Sequence, residues 1–341
     1  MSRPVTAVEA QNGDWELSSE TLRVRVSGGQ GADIRSIVHV PSGAELLWTD
    51  AGDASAGPSF GASDFYDRYP GGIQELFPNA GPACEVHGAP LVFHGEICRI
   101  PWTVSPVDGL DGVELVCRTQ LRRYPFSMER VISLSPGEPH IAIRTTVTNR
   151  FATALPVHWG FHPAFSAELT AALATLVGEF ASALAESGRF GEVQRWMPGA
   201  TIPLHESRGF PALPLTPPDA GCADLVYAAA DAGWYVLRSG ATGLSAGVTW
   251  PVELFPAVWI WQECHDPRGY PWWGRHHIVG IEPHTAAPSR SLEADIDAGE
   301  AVMIGAGQTR EARFGIRVSQ GDELAAAEFV RSVQQVTEQD R

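Results

Sequence analysis

The chain has 341 residues, and its 40 Asp and Glu against 24 basic residues, all of them arginine, give a formal net charge of −16. The absence of lysine excludes Schiff-base aldolases, pyridoxal phosphate enzymes and P-loop NTPases, because each of these needs a lysine amine. Such an acidic chain repels phosphodiester backbones and has no arginine cluster to offset the repulsion, so we expect no nucleic-acid partner.

Cysteine usage and hydropathy indicate the compartment. The five cysteines are odd in number and form no CxxC pair, which is typical of free thiols in a reducing compartment. No apolar run approaches the ~20 residues of a membrane span, and the N-terminal segment lacks the apolar stretch of a signal peptide. We therefore expect a soluble cytoplasmic protein, monomeric or homodimeric, with no membrane partner.

Short segments with the alternation of a half-buried β-strand recur along the chain. The first is 22–26, where apolar residues alternate with two arginines. The others, bounded by Gly, Pro, Asp and Asn, are 113–121, 128–134, 141–148, 234–238, 257–261, 278–281 and 312–318. No strand-then-helix repeat appears, which argues against a doubly wound α/β fold. The pattern predicts an all-β protein, a large antiparallel β-sandwich or barrel with few helices.

Helical signals are few. The segment 322–339 places its apolar residues near one face, which predicts an amphipathic C-terminal helix. The Ala- and Leu-rich segment 168–186 is ambiguous, because β-branched residues and a glycine interrupt it. The Pro-rich stretch 203–218 has strand-like segments on both sides, so we interpret it as a surface excursion within a single domain that spans 1–341.

Histidines and carboxylates gather at three places, each where a strand meets a turn rich in Gly or Pro. These places hold His94 with Glu96, His158 with His162, and Glu282 with His284. Strand ends display polar side chains on a rigid scaffold. One His or Glu in such a position is usually a plain turn residue, and three such places in one chain weaken that interpretation.

A metal site is one alternative. His94 and Glu96 would share a face of an extended strand and could chelate together, and His158 with His162 could complete a zinc or iron site. Their spacing matches neither HExxH nor the cupin HxH pattern, so we expect no metal. A nucleophilic serine or cysteine is less favoured still, because the sequence has no GxSxG elbow.

The three clusters, in this order and spacing, resemble the aldose 1-epimerase family, the galactose mutarotase-like proteins. The likeness rests on the Gly-rich loop 77–81, His94-Gly95, the His162 to Phe165 motif, the strand around Asp224, and Glu282-Pro283. It covers roughly residues 15–320, and the ordered set rather than any single motif carries it.

The resemblance implies a large twisted β-sandwich with the site on the concave face of one sheet, and catalysis without metal or cofactor. Glu282 would be the base on the C1 hydroxyl of an aldose and His162 the acid on its ring oxygen, with the roles exchanged on closure. His94 would hydrogen-bond the ring oxygen or a neighbouring hydroxyl, and Asp224 would orient ring hydroxyls. Further candidate sugar-binding residues are Asn79, Arg99, Trp261 and Gln262.

Departures from the family pattern leave the sugar open. Pro82 stands where many mutarotases have an arginine, and Arg99 follows the His-Gly at a slightly different distance from that in sugar-phosphate epimerases. A phosphate would need two or more converging arginines. The available ones are Arg99, Arg122, Arg123, Arg268 and Arg275. We expect a neutral monosaccharide substrate, with a hexose phosphate epimerase or a non-catalytic carbohydrate-binding module as the alternatives.

Overall fold

The computed structural model describes residues 4–10, 13–50, 64–109, 112–171 and 173–339. Most of these residues lie in strands, which are β1 (Thr6–Glu9), β2 (Trp15–Ser18), β3 (Leu22–Val26), β4 (Ile34–His39), β5 (Ala44–Glu45), β6 (Ile73–Leu76), β7 (Cys84–Val86), β8 (Ala89–Leu91), β9 (Thr103–Gly109), β10 (Gly112–Gln120), β11 (Phe126–Leu134), β12 (His140–Asn149), β13 (Leu155–Val157), β14 (Gly160–Phe165), β15 (Thr175–Ala185), β16 (His205–Ser207), β17 (Phe210–Leu213), β18 (Cys222–Arg238), β19 (Leu244–Thr249), β20 (Ala257–Cys264), β21 (His277–His284), β22 (Val302–Ile304) and β23 (Thr309–Gln320). The α-helices in the described ranges are α1 (Asp64–Asp67), α2 (Ala167–Thr170), α3 (Leu292–Ala298) and α4 (Glu323–Gln339), and two short 3-10 helices span Ile97–Arg99 and Gly191–Val193. The all-β prediction is confirmed, and every predicted strand overlaps an observed one.

Two runs of antiparallel strands share β18. The first run is β9, β10, β11, β12, β23, β19 and the C-terminal part of β18. The second is the N-terminal part of β18 followed by β20, β21, β14, β6, β4, β3, β2 and β1. Because β18 has 17 residues, it passes from one run into the other. A bridge between Val5 and Gly112 links the far ends, so the sheet is nearly closed.

The main apolar core lies between the two runs, and a buried ion pair crosses it. Arg130 on β11 donates from Nε to Glu75 Oε1 on β6 at 3.0 Å. The other oxygen of Glu75 accepts from Trp159 Nε1 at 2.9 Å, and Arg130 also donates to the carbonyl of Ala32 at 2.7 Å. Since both charges are hydrogen-bonded, the pair holds the two runs in one relative position.

The ambiguous and Pro-rich segments join the sheet. The segment 168–186 forms most of α2 and then β15, an 11-residue strand that pairs with β18. The stretch 203–218, expected to be a surface excursion, contains the β16–β17 hairpin, which extends the sheet at β15. The predicted C-terminal helix runs over Glu323–Gln339 as α4, whose Val330 and Val333 pack on Trp234.

The helix α3 was not expected from the sequence. Its start is set by the Ser291 side chain, which accepts from Ala294 N, and its end by Gly299, which has a φ of 72°. Both are ordinary capping devices. No helix within the described ranges is long and apolar enough to cross a membrane.

Candidate functional site

A row of side chains crosses the second run of strands on the face turned away from the main core. Register pairs Tyr227 of β18 with Trp259 of β20, and Trp259 with Glu282 of β21. His162 of β14 follows on the same face and pairs with Gln74 of β6. Because directly paired strand residues project to one side, these five side chains form a continuous line over the sheet.

Glu282 lies at the centre of this row. Its side chain is 2% exposed. Oε1 lies 3.3 Å from His162 Nε2, and Oε2 lies 3.1 Å from His284 Nε2. Two glycines make room for the arrangement: a Cβ on Gly280 would lie 2.6 Å from Glu282 Oε1, and one on Gly160 would lie 2.3 Å from the His284 ring. Neither site tolerates a side chain without displacing a titratable group.

The two other imidazoles of the site, those of His94 and His284, are held in place by contacts with neighbouring protein groups. His94 Nδ1 donates to the carbonyl of Ala80, which leaves Nε2 for the cavity, and the His94 and His162 ring centroids are 5.7 Å apart. The His284 ring stacks on Trp259 with centroids 3.7 Å apart. The hydrogen bond therefore fixes which nitrogen His94 presents, and the stacking fixes the plane of the His284 ring.

Burial shifts the pKa values of Glu282 and of the three histidines around it. It raises the pKa of Glu282 well above its ordinary value, and the attraction of Arg189 offsets only part of that effect. Burial lowers the pKa of His162 to about 4, and it holds the pKa values of His94 and His284 well below the ordinary histidine value. When the Glu282–His162 pair holds a single proton, that proton therefore rests on the carboxyl and not on the imidazole.

A cavity of about 900 Å³, counting the part open to solvent at its mouth, lies over the middle of the row, where Trp259, Glu282 and His162 line it. The aromatic part of its wall includes Phe65, Tyr69, Phe93, Trp259, Trp261 and Trp272. Aromatic faces suit the apolar C–H faces of a sugar ring, and the few polar groups among them set orientation.

Four of the residues predicted from the sequence lie together. Glu282, His162, His94 and Trp261 all line this cavity. Arg99 lies outside its lining and borders a neighbouring cavity, where its guanidinium donates to the carbonyl of Phe93 at 3.1 Å. The structure therefore places Arg99 behind the aromatic wall and not in contact with a sugar in this cavity.

Asp224 and Gln262, predicted to bind the sugar, lie outside the lining of this cavity. The two are register partners on the core-facing side of β18 and β20, opposite to the cavity. Asp224 Oδ1 accepts from Arg195 N at 3.0 Å, and Gln262 Oε1 accepts from Thr216 N at 2.6 Å. Both are buried and support the backbone of neighbouring loops.

Asn79 is also structural in this arrangement. Its Nδ2 donates to the carbonyls of Gly81, Pro82 and Val92, and its Oδ1 accepts from Leu292 N at 3.3 Å. The side chain is fully buried and is not part of the cavity lining. It holds the loop that presents His94 instead of contacting a ligand.

The side chains considered as metal ligands do not come together in the structure. Glu96 turns away from the cavity and accepts from the backbone N–H groups of Arg122 and Arg123 at 2.7 and 3.0 Å. His158 Nε2 lies 2.7 Å from Asp295 Oδ2, a contact that docks α3 on the sheet. Among the described side chains, no group of three or more His, Cys, Asp or Glu is arranged to hold a metal ion.

The sequence interpretation missed several residues of the cavity. Arg189 and Phe190 reach it from the loop after β15, and Glu263 and Trp272 line it from β20 and the loop that follows. Glu263 could have been predicted from the sequence, because alternation along β20 puts it on the same face as Trp261. Tyr69, which approaches His162 Nδ1 to 3.5 Å, carried no signal.

Comparison with protein-family models gives no match, and comparison with curated protein sequences gives none either. Solved structures do match, and the fold is that of the galactose mutarotase-like proteins. A Lactobacillus casei galactose mutarotase-like protein matches with TM-score 0.61 and 19% identity, over 92% of this chain and 100% of its own.

Two further solved structures agree. A Klebsiella pneumoniae protein provisionally described as an aldose 1-epimerase matches with TM-score 0.71 and 11% identity, over 98% of this chain and 87% of its own. A Clostridium acetobutylicum galactose mutarotase-like protein matches with TM-score 0.63 and 12% identity, over 94% and 99% of the two chains. At these identities the likeness concerns the fold, so the chemistry has to be argued from the site.

Proposed function

We propose that the protein is an aldose 1-epimerase, which interconverts the anomers of an aldose by opening and reclosing its ring. The observation that supports this most directly is the buried contact between Glu282 and His162 in an aromatic cavity. Ring opening needs one group that removes the C1 hydroxyl proton and another that protonates the ring oxygen. Both oxygens are bonded to the same carbon, so two adjacent proton-transfer groups are what the reaction requires.

In the opening step, Glu282 takes the proton from the C1 hydroxyl while the bond from C1 to the ring oxygen breaks and the C1 carbonyl forms. His162 gives a proton to the ring oxygen. Because the resting proton lies on the carboxyl, it first passes to His162 across their 3.3 Å contact as the sugar binds. Rotation about C1–C2 then exposes the other carbonyl face, and closure returns both protons with the roles exchanged. Proton transfer is the only chemistry needed, so the mechanism uses no metal ion or cofactor.

His94 has a narrower role in this mechanism than the resemblance implied. A carbonyl oxygen only accepts, so His94 Nδ1 carries the hydrogen toward Ala80, and a neutral ring then has only a lone pair at Nε2. The cavity-facing nitrogen of His94 therefore accepts from a sugar hydroxyl, and it does not donate to the ring oxygen.

The charges of the cavity favour a neutral sugar. Of its two arginines, Arg268 is paired with Asp266 through contacts of 2.9 and 2.6 Å, which neutralise it. Arg189 is the other, and it lies 3.8 Å from Glu186. Among the described residues of the cavity lining this leaves no converging pair of uncompensated guanidinium groups, and a phosphate needs such a pair.

The proposal is tested by following anomer exchange of a freshly dissolved pure anomer by proton NMR. The protein should accelerate the approach to equilibrium, and Glu282→Gln should abolish the acceleration, whereas Glu206→Gln on the exposed strand β16 should not. Exchange at the spontaneous rate with hexoses, pentoses and hexose phosphates alike would contradict the proposal. Sugar-dependent thermal stabilisation without exchange would instead identify a binding module.

A further inference from the structure

One carboxyl oxygen of the cavity receives no hydrogen bond from the described part of the chain. Glu263 lines the cavity and is 1% exposed. Its Oε1 accepts from Asp266 N at 2.8 Å, but its Oε2 is buried without a hydrogen-bond partner among the residues that the structure describes. A buried oxygen left unpaired costs about 1–3 kcal/mol, so Oε2 calls for a hydrogen-bond donor from an ordered water or from a ligand in the cavity. In a sugar-binding cavity the matching group is a hydroxyl.

Glu263 lies too far from the catalytic pair to reach the same sugar ring. Trp259 is the register partner of Glu282, and Glu263 is four residues further along β20. At ~3.3 Å per residue this is about 13 Å along the strand. A six-membered ring with bonds of about 1.5 Å is about 3 Å across, or about 6 Å with its exocyclic oxygens. A ring held with C1 between Glu282 and His162 therefore ends before Glu263.

Aromatic side chains line the space between the catalytic pair and Glu263, as expected for a site that holds a second sugar ring. Trp261 lies midway between Trp259 and Glu263 on the same face, and Trp272 lies against it with ring centroids 5.6 Å apart. Beside them, Tyr270 is 51% exposed at the mouth of the cavity. Aromatic surface that is left open beside a polar acceptor is the arrangement that sugar rings use.

We propose that the Glu263 end of the cavity is a second sugar subsite, and that the substrate is the reducing end of a disaccharide or short oligosaccharide. This rests on the proposed function, since it places C1 of the reducing sugar at Glu282. The ring edge opposite C1 then faces Glu263, so the second unit is linked through the hydroxyl opposite the anomeric carbon, as in a 1,4-linked disaccharide.

The charges at this end select a neutral sugar unit over an anionic substituent. Asp266 and Arg268 compensate each other, and Glu263 adds a carboxyl that would repel a phosphate or uronate. Burial raises the pKa of Glu263 to about 7, so near neutral pH its unpaired oxygen accepts from a hydroxyl when ionised. The hydrogen bond is stronger in that state, because one partner is charged.

The test compares kcat/KM for glucose, two 1,4-linked disaccharides (maltose and cellobiose) and the 1,6-linked isomaltose, in wild type, Glu263→Ala, Glu263→Gln and Trp272→Ala. We expect wild type to prefer at least one 1,4-linked disaccharide to glucose. Glu263→Ala and Trp272→Ala should each reduce that preference about tenfold or more. Glu206→Gln serves as the control for a removed surface charge, and thermal melting checks that each variant is folded.

The outcomes separate this subsite from the epimerase proposal. Acceleration of glucose and both 1,4-linked disaccharides with equal kcat/KM, or an equal loss for all of them in Glu263→Ala, overturns the subsite and leaves the epimerase standing. If no sugar is accelerated, the epimerase proposal fails, and the subsite is then judged by binding. Greater thermal stabilisation by a 1,4-linked disaccharide than by glucose, lost in Glu263→Ala, supports it, and equal stabilisation overturns it.

Discussion

The position of the Glu282 carboxylate can be tested without altering any titratable group. Gly280 lies two residues before Glu282 on β21, and a Cβ added there would lie 2.6 Å from Glu282 Oε1. Its backbone conformation is one that alanine adopts, so Gly280→Ala acts through space and not through backbone strain. Ordinary van der Waals contact requires about 3.4 Å, so the oxygen must move by about 0.8 Å.

This displacement has a calculable consequence. The 3.3 Å contact between Oε1 and His162 Nε2 would lengthen beyond hydrogen-bond range. Misplacement of a reacting group by ~1 Å costs roughly a hundredfold in rate, so we expect kcat to fall by about that factor in Gly280→Ala. The clash is with the end of a flexible side chain, so the free energy of unfolding should change by only about 1 kcal/mol.

The assay is anomer exchange by NMR, with denaturant unfolding measured on the same samples. Gly305→Ala is the matched control, because its Cβ meets only the flexible Gln308 side chain. Its activity should equal that of the wild type. If Gly280→Ala kept full kcat while remaining folded, the carboxylate would not act from its position over Gly280, and the catalytic assignment of Glu282 would be refuted.

Three further predictions follow from the buried groups. The acid side of the pH profile of kcat/KM should have an apparent pKa near 4, because His162 takes a second proton onto the pair only there; loss of activity near 6.5 would contradict the neutral pair. Arg130→Met should lower the free energy of unfolding by about 3–5 kcal/mol in chemical denaturation, because it leaves Glu75 charged and buried; a change under 1 kcal/mol would refute the ion pair. Asp224→Ala should lower stability by about 1–3 kcal/mol and leave KM for the sugar unchanged, since its carboxylate binds only backbone and loop groups; a raised KM would return it to the sugar site.

How far the sequence predicts this site depends on whether strand faces can be distinguished. In β3 one face is buried and the other exposed, so alternation defines both the strand and its orientation. In β18, Cys222 to Ala228 are all buried, so no alternation shows which residues face the cavity, and Asp224, expected at the sugar, lies on the opposite face. The order of the motifs along the chain was enough to predict that Glu282 and His162 share a site, because this prediction does not require knowing which strand face each residue occupies.

One error could have been avoided from the sequence. Trp261 and Gln262 are neighbours on a strand, so they point to opposite faces and cannot both line one cavity. Once Trp261 is assigned to the site, Glu263 follows it there and Gln262 is excluded. Arg189 could not be found in this way, because it lies in a loop whose path over the sheet is set by tertiary contacts.

The protonation of the site matches the chemistry proposed for it. Ring opening of an aldose passes through a neutral aldehyde, since one proton leaves an oxygen and another arrives. A pair that is itself neutral overall, a protonated Glu282 beside an unprotonated His162, can exchange protons with such a substrate without creating a net charge in the cavity. Reactions that build an oxyanion need cationic or N–H donors aimed at it, and they are favoured by a different environment. The burial that suppresses charge on these two side chains would hinder that chemistry, but it leaves a paired proton transfer unimpeded.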